Sequence, residues 1–233
     1  MFEIEAVELG EERVRFCISF DVLIGDAWSF QLLAKEMVQL LVNPDLELPK
    51  FDLSFRDYVL AEQKLRESEL YRRSWEYWQQ RIPNLPPAPE LPLVKSLESV
   101  TKPQFTRLSH TLSRELWQNL KQKASVAKIT PSSLLLAAFS EVLTTWSKSP
   151  QFTINLTLFN RLPLHPDVDR VVGDFTSSTL LEVDNRGQDS FTSRCIKIQS
   201  QLWQDLDHRY VSGIEILREL ARNRSSNTGA LMP

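Results

Sequence analysis

Apolar and polar positions alternate at two places near the start of the chain. Phe2 to Val7 and Val14 to Phe20 are rich in β-branched and aromatic residues and predict two strands, with Glu8 to Glu12 as the polar, glycine-containing break between them. Past residue 29 the period changes. From Phe30 on, Leu32, Leu33, Met37, Val38 and Leu41 recur at helical spacing, and Asn43-Pro44 ends that helix. Ser54 to Arg81 predicts one long helical stretch. Its apolar side is Phe55, Tyr58, Val59, Leu65, Leu70, Tyr71, Trp75 and Trp78, with charges opposite. That aromatic stripe reads as core packing rather than a ligand platform.

From Ile82 to Leu93 five prolines fall in a dozen residues. Proline locks φ and removes a backbone donor, so this segment reads as a stiff connector rather than a core element, and as the best domain boundary. Beyond it, Phe105 to Leu112 predicts a strand. Ser113 is a cap for a helix to about Ala127. Thr130-Pro131 opens another, with Leu134, Leu135, Leu136, Phe139, Val142, Leu143 and Trp146 predicting that it is largely buried. Phe152 to Phe159 predicts a strand, Asn160 to Pro166 a break, and Val171 to Ser177 a lead into a strand ending near Val183. Helices are expected over Ser190 to Leu206 and Gly213 to about Arg222, followed by a polar, turn-like tail from Asn223. Strands and helices alternate on both sides of the connector, which predicts an α/β protein with two layers meeting across a cleft. The linear division is 1–82, a connector at 83–103, and 104–233.

Composition narrows the function. The 233 residues are 42% hydrophobic and 24% charged, an ordinary globular balance. A net charge of -3 gives no basic excess for nucleic acid. Cys17 and Cys195 form no CxxC and are expected as small core residues in a reduced, cytoplasmic setting. His110, His165 and His208 are scattered, which speaks against a metal centre. No apolar run reaches membrane-span length, no signal-peptide pattern opens the chain, and no glycine-rich loop would cradle a nucleotide.

The strongest chemical signal sits between the second strand and the first helix. Asp21, Asp26 and Ser29 stand in the spacing D-x4-D-x2-S at a strand-to-helix junction, where side chains project from a loop on a rigid scaffold. On spacing alone, Asp26 or Ser29 could simply cap the helix.

This segment resembles the signature of heterocyclization domains of nonribosomal peptide synthetases. In that branch of the condensation-domain superfamily, DxxxxDxxS replaces the usual HHxxxDG. Aligned on Asp26, the two histidines fall on Asp21 and Val22, so the ordinary motif is absent and the cyclization form is complete. Other segments agree. The proline-rich run resembles LPxxPxLP, and Thr130 to Ser147 matches TPxxxLxxAFxxVLxxWS. Asn155 to Arg161 and Gly173 to Ser177 resemble two further cyclization motifs.

The resemblance implies a chloramphenicol-acetyltransferase-like, two-lobed fold with the active site in a tunnel between lobes. It places 1–82 at the end of the N-terminal lobe and 104–233 at the start of the C-terminal lobe. An FPLxxxQ-type segment is expected before residue 1 and a PVVFTS-like segment after Pro233. The implied reaction joins a carrier-bound acyl group to carrier-bound cysteine, serine or threonine and cyclodehydrates the product to a thiazoline or oxazoline. No cofactor is bound directly; substrates ride on the phosphopantetheine arms of upstream and downstream carrier domains, beside an adenylation domain. An inactive remnant that docks carrier proteins and a plain amide-forming condensation domain are the alternatives.

Within this resemblance Asp174 is the leading acid/base residue. Asn155 and Thr157 share a strand face and could orient the amide, and Thr176 and Ser177 are weaker candidates. Asp26 is expected to be structural and to pair with a buried arginine, Arg161 being one candidate. Asp21 is expected to be architectural and Ser29 a loop or helix-start hydrogen bonder.

Overall fold

The strands β1 (Phe2–Glu8) and β2 (Val14–Phe20) pair antiparallel, Phe2 opposite Phe20 and Glu8 opposite Val14. Their turn needs left-handed backbone: Gly10 has φ 76°, and Glu11 and Glu12 follow at 53° and 60°. Glycine takes that conformation without a Cβ clash. In this computed structural model the described residues are 2–95 and 99–224.

Helix α1 (Ala27–Val42) starts three residues earlier than the apolar period suggests, because the Asp26 carboxylate accepts the Ser29 N–H and caps it. The long helix expected over Ser54 to Arg81 is instead two helices, α2 (Phe55–Leu65) and α3 (Glu69–Arg81). Ser68 makes the break. Its N–H and hydroxyl both donate to the Leu65 carbonyl, which closes α2, and its hydroxyl then accepts the Tyr71 N–H, which opens α3. Serine competes with a helical backbone in this way.

The remaining helices are α4 (Arg114–Val126), α5 (Pro131–Trp146), α6 (Phe191–Asp207) and α7 (Gly213–Arg224). Ser113, Thr130 and Ser190 cap the first three, each accepting a backbone N–H three residues on. Strands β3 (Gln151–Phe159) and β4 (Thr176–Asp184) form a second two-stranded sheet. The Asn160 N–H donates to the Phe175 carbonyl and the Asn185 N–H to the Pro150 carbonyl, each at 2.9 Å. That order makes the pair antiparallel.

The chain folds into two compact units that do not follow the linear division at 83–103. One holds Met1–Trp75, Thr157–Ser178 and Tyr210–Ser212; the other holds Glu76–Leu156, Thr179–Arg209 and Gly213–Pro233. In the first, Tyr58, Leu162, Val168, Val171 and Phe175 form the core, with Phe51, Leu53 and Phe55 packed on it. An apolar pocket of about 510 Å³ lies along the hairpin and α1, lined by residues such as Phe2, Ile4, Phe20, Leu33 and Met37. In the second, Ala124, Ile129, Ala137, Leu181, Cys195 and Ile198 form the core. Asp205 is fully buried there and pairs with Arg81, while the Tyr77 hydroxyl donates to it at 2.7 Å. Burial, and then the Asp205 charge, push the Tyr77 phenol well above its usual range.

Several expectations change. The connector is not outside the core: Ile82 and Leu85 are each 2% exposed. The Thr153 N–H donates to the Pro87 carbonyl and its hydroxyl to that of Pro86. Prolines still accept through their carbonyls, so a proline-rich run can pair along one edge. Phe105 to Leu112 forms no strand, and Phe105 and Leu108 are exposed, since no described segment offers that run a ladder. Helix α5 buries one face only: Ala137 is inside, whereas Leu135, Phe139, Val142 and Trp146 are exposed. Cys195 is buried but Cys17 is exposed, and both are free thiols. Asn223 and Arg224 extend α7; the rest of the expected tail lies outside the described residues. Among the described residues no single helix is long and apolar enough to cross a membrane.

Candidate functional site

Asp26, at the end of the loop after β2, is buried with its side chain fully enclosed. One carboxylate oxygen accepts the Ser29 backbone N–H, and the Ser29 hydroxyl lies at the same 2.7 Å from it. The Arg161 guanidinium, itself 5% exposed, approaches that oxygen at 3.1 Å. The second oxygen accepts the Phe175 N–H at 3.3 Å. Burial alone would raise the Asp26 pKa. The Ser29 hydroxyl and N–H and the Arg161 charge outweigh it and hold the carboxyl below its usual range.

Ser29 is equally enclosed. Its hydroxyl sits 2.8 Å from the Gly173 carbonyl, accepts the Gly173 N–H at 3.1 Å, and accepts from Arg161 at 3.1 Å. The Asp26 N–H also donates to the Gly173 carbonyl. Arg161 closes the set by donating to the Val168 and Val171 carbonyls at 2.9 and 2.7 Å, with its guanidinium 3.8 Å from the Phe175 ring centre. The second half of D-x4-D-x2-S therefore grips both neighbours of Asp174. Asp21 takes no part in this set: its carboxylate accepts the Leu23 N–H at 3.0 Å in an exposed turn.

Asp174 itself is exposed, and its carboxylate accepts the Thr176 N–H at 3.0 Å. Backbone contacts on each side fix the turn while leaving the carboxyl facing solvent. Thr157 and Asn155 are exposed on one face of β3, two residues apart. Thr157 lies in the same unit as Asp174 and Thr176, and Asn155 lies in the other.

Gly173 is required by close approach. A Cβ there would lie 2.2 Å from Cδ2 of Phe55, whose ring is packed against Tyr58 and Phe175. Gly173→Ala is expected to destabilise the domain by about 1–3 kcal/mol through overpacking. A lowered urea midpoint, recovered in part by Phe55→Ala in the same chain, is the check.

Sequence reasoning missed three supports of this turn. Trp28 donates its indole N–H to the Asp169 carbonyl at 3.0 Å, and Arg170 lies over the Phe51 ring and donates to the Pro49 carbonyl. Tyr58 was legible only as one aromatic in a stripe. Its signal was the hydroxyl, since a buried tyrosine must find a partner for it.

The condensation domain family model matches residues 1–232. The chain belongs to the condensation domain family. This condensation domain is 39% identical over its whole length to a region of bacitracin synthase 1 from Bacillus licheniformis. It is 37% identical over 97% of its length to pyochelin synthetase PchF of Pseudomonas aeruginosa. Among solved structures, the EpoB cyclization-docking bidomain of a nonribosomal peptide synthetase from Sorangium cellulosum matches all of it with 42% identity and a TM-score of 0.90. The domain spans 4% and 12% of those two synthetases and 47% of the bidomain chain. Its mixed α/β architecture is that of part of a condensation-domain fold.

Proposed function

We infer that this chain is part of a heterocyclization domain of a nonribosomal peptide synthetase. The observation that carries the reading is the match of the whole chain to part of a cyclization-docking bidomain together with an intact D-x4-D-x2-S. In this reading the amine of a carrier-bound cysteine, serine or threonine displaces the thiol of an upstream acyl thioester and forms an amide. The side-chain thiol or hydroxyl then adds to the amide carbon, and its proton goes to the carbonyl oxygen. Loss of that hydroxyl with the nitrogen-bound proton releases water and leaves the C=N bond of a thiazoline or oxazoline.

Amide formation depends mainly on aligning two carrier-bound arms. Dehydration needs a group that gives a proton to the departing hydroxyl and takes one from nitrogen, work suited to a carboxyl. Asp174 is that group here: its carboxyl is exposed while the backbone around it is pinned by Asp26 and Ser29. Thr157, Asn155 and Thr176 are assigned to orienting the amide. Asp21, Asp26, Ser29 and Arg161 are structural. The partners are carrier domains bearing phosphopantetheine arms on both sides and an adjacent adenylation domain, in the cytoplasm.

Product mass tests the reading. A synthetase containing this domain, given its loaded carrier substrates, is expected to release a product lighter than the open-chain amide by one water. Open-chain amide alone means a plain condensation domain, and no product means a docking remnant.

A further inference from the structure

Tyr58 holds the chain on both sides of Arg161. It lies in the first turn of α2, whose start is set by a reciprocal pair of bonds between Ser54 and Asp57. Its hydroxyl donates to the Asn160 carbonyl at 2.9 Å and accepts the Leu162 N–H at 3.2 Å. Those are the residues immediately before and after Arg161. Its ring meets Phe175, the residue after Asp174, edge-on at 4.6 Å between centres. Tyr58 is 4% exposed, so water cannot replace these bonds.

We propose that Tyr58 is a positioning residue for cyclodehydration, setting the Asp174 carboxyl through Arg161, Asp26 and the Phe175 backbone. This rests on the reading of Asp174 as the acid/base group. The chain of contacts is continuous. Tyr58 fixes the backbone from which Arg161 reaches Asp26, and Asp26 accepts the Phe175 N–H. Arg161 lies against the Phe175 ring, which also meets the rings of Tyr58 and Phe55. A shift of the 160–162 segment therefore moves the guanidinium, and with it the turn that presents Asp174. Misplacement of a reacting group by a fraction of an ångström to an ångström is costly to rate.

The test is single-turnover product analysis in the intact synthetase. Tyr58→Phe keeps the ring and removes the hydroxyl. Both bonds of the hydroxyl are lost, and the ratio of dehydrated to open-chain product is expected to fall about tenfold or more. Combined with Asp174→Asn, it is expected to add no further loss to that ratio. An equal fall of both products, or the same factor in both backgrounds, overturns the proposal and leaves Tyr58 a packing residue. Replacing Tyr58 by 4-aminophenylalanine keeps a donor for the Asn160 carbonyl. That variant serves where the bare ring fails to fold and should stay within about threefold of the wild-type ratio on the same scale. A tenfold loss in it also overturns the proposal. If Asp174→Asn alone leaves dehydration intact, the assignment of Asp174 fails instead, which separates the two ideas.

Discussion

Asp174→Asn, in a synthetase carrying this domain, is expected to lower formation of the dehydrated ring by roughly 10²–10⁴-fold while the open-chain amide still accumulates. The substitution is close to isosteric. The asparagine carbonyl oxygen can still accept the Thr176 N–H, so the turn before β4 keeps its shape. What goes is the capacity to give and take a proton. Mass spectrometry of released product separates the outcomes. Loss of both products, or of neither, removes Asp174 from the chemistry and returns it to the role of a turn former.

The second large effect concerns stability. Arg161→Met leaves the Asp26 carboxylate buried without its cation, and is expected to destabilise the complete domain by about 3–5 kcal/mol. Asp26→Asn should be damaging for the converse reason, and the double change should cost less than the sum. The pH dependence has a definite sign. The Asp26 pKa is lower in the folded state, since the bonds from Ser29 and the Arg161 charge overcome burial. Its contribution is therefore fully present above the ordinary carboxylate value and is lost as pH falls through the lowered folded value. Urea midpoints measured from neutral pH down into the acid range should fall for the wild type. Asp26→Asn should start lower and lose that part of the slope. A parallel decline in both chains would mean that Asp26 is not the group responsible.

These two effects act on neighbouring residues for different reasons. Asp26 and Arg161 are enclosed and bond to backbone, to the Ser29 hydroxyl and to each other. Asp174 is held by that frame yet left open to solvent. A damaging substitution at Asp26 or Ser29 therefore says little about chemistry, because Ser29 alone bonds both backbone groups of Gly173.

Much of this was legible from sequence. The period of two in Phe2 to Val7 and Val14 to Phe20, and the caps at Ser113 and Thr130-Pro131, describe local choices. Each depends on a few adjacent residues, and each element formed where its pattern put it. The motif spacing Asp26 to Ser29 likewise marked a helix start, and its resemblance to the cyclization signature pointed to the family. Failures came where a longer-range decision was needed. Phe105 to Leu112 has strand composition but no ladder partner among the described residues, and composition cannot supply one. The single helix expected over Ser54 to Arg81 ignored that one hydroxyl, on Ser68, could satisfy both helix ends.

What tertiary structure alone decided is the company each residue keeps. That Arg161, 135 residues from Asp26, is its partner follows from the fold bringing the end of β3 to the cap of α1. That Tyr58 straddles Arg161 is invisible along the chain, because α2 and the 160–162 segment are separated by about a hundred residues of sequence. Helical and strand periods are set by backbone bonds between near neighbours, so sequence carries them. Buried charge pairing is set by which distant groups are desolvated together, and only the folded chain determines that.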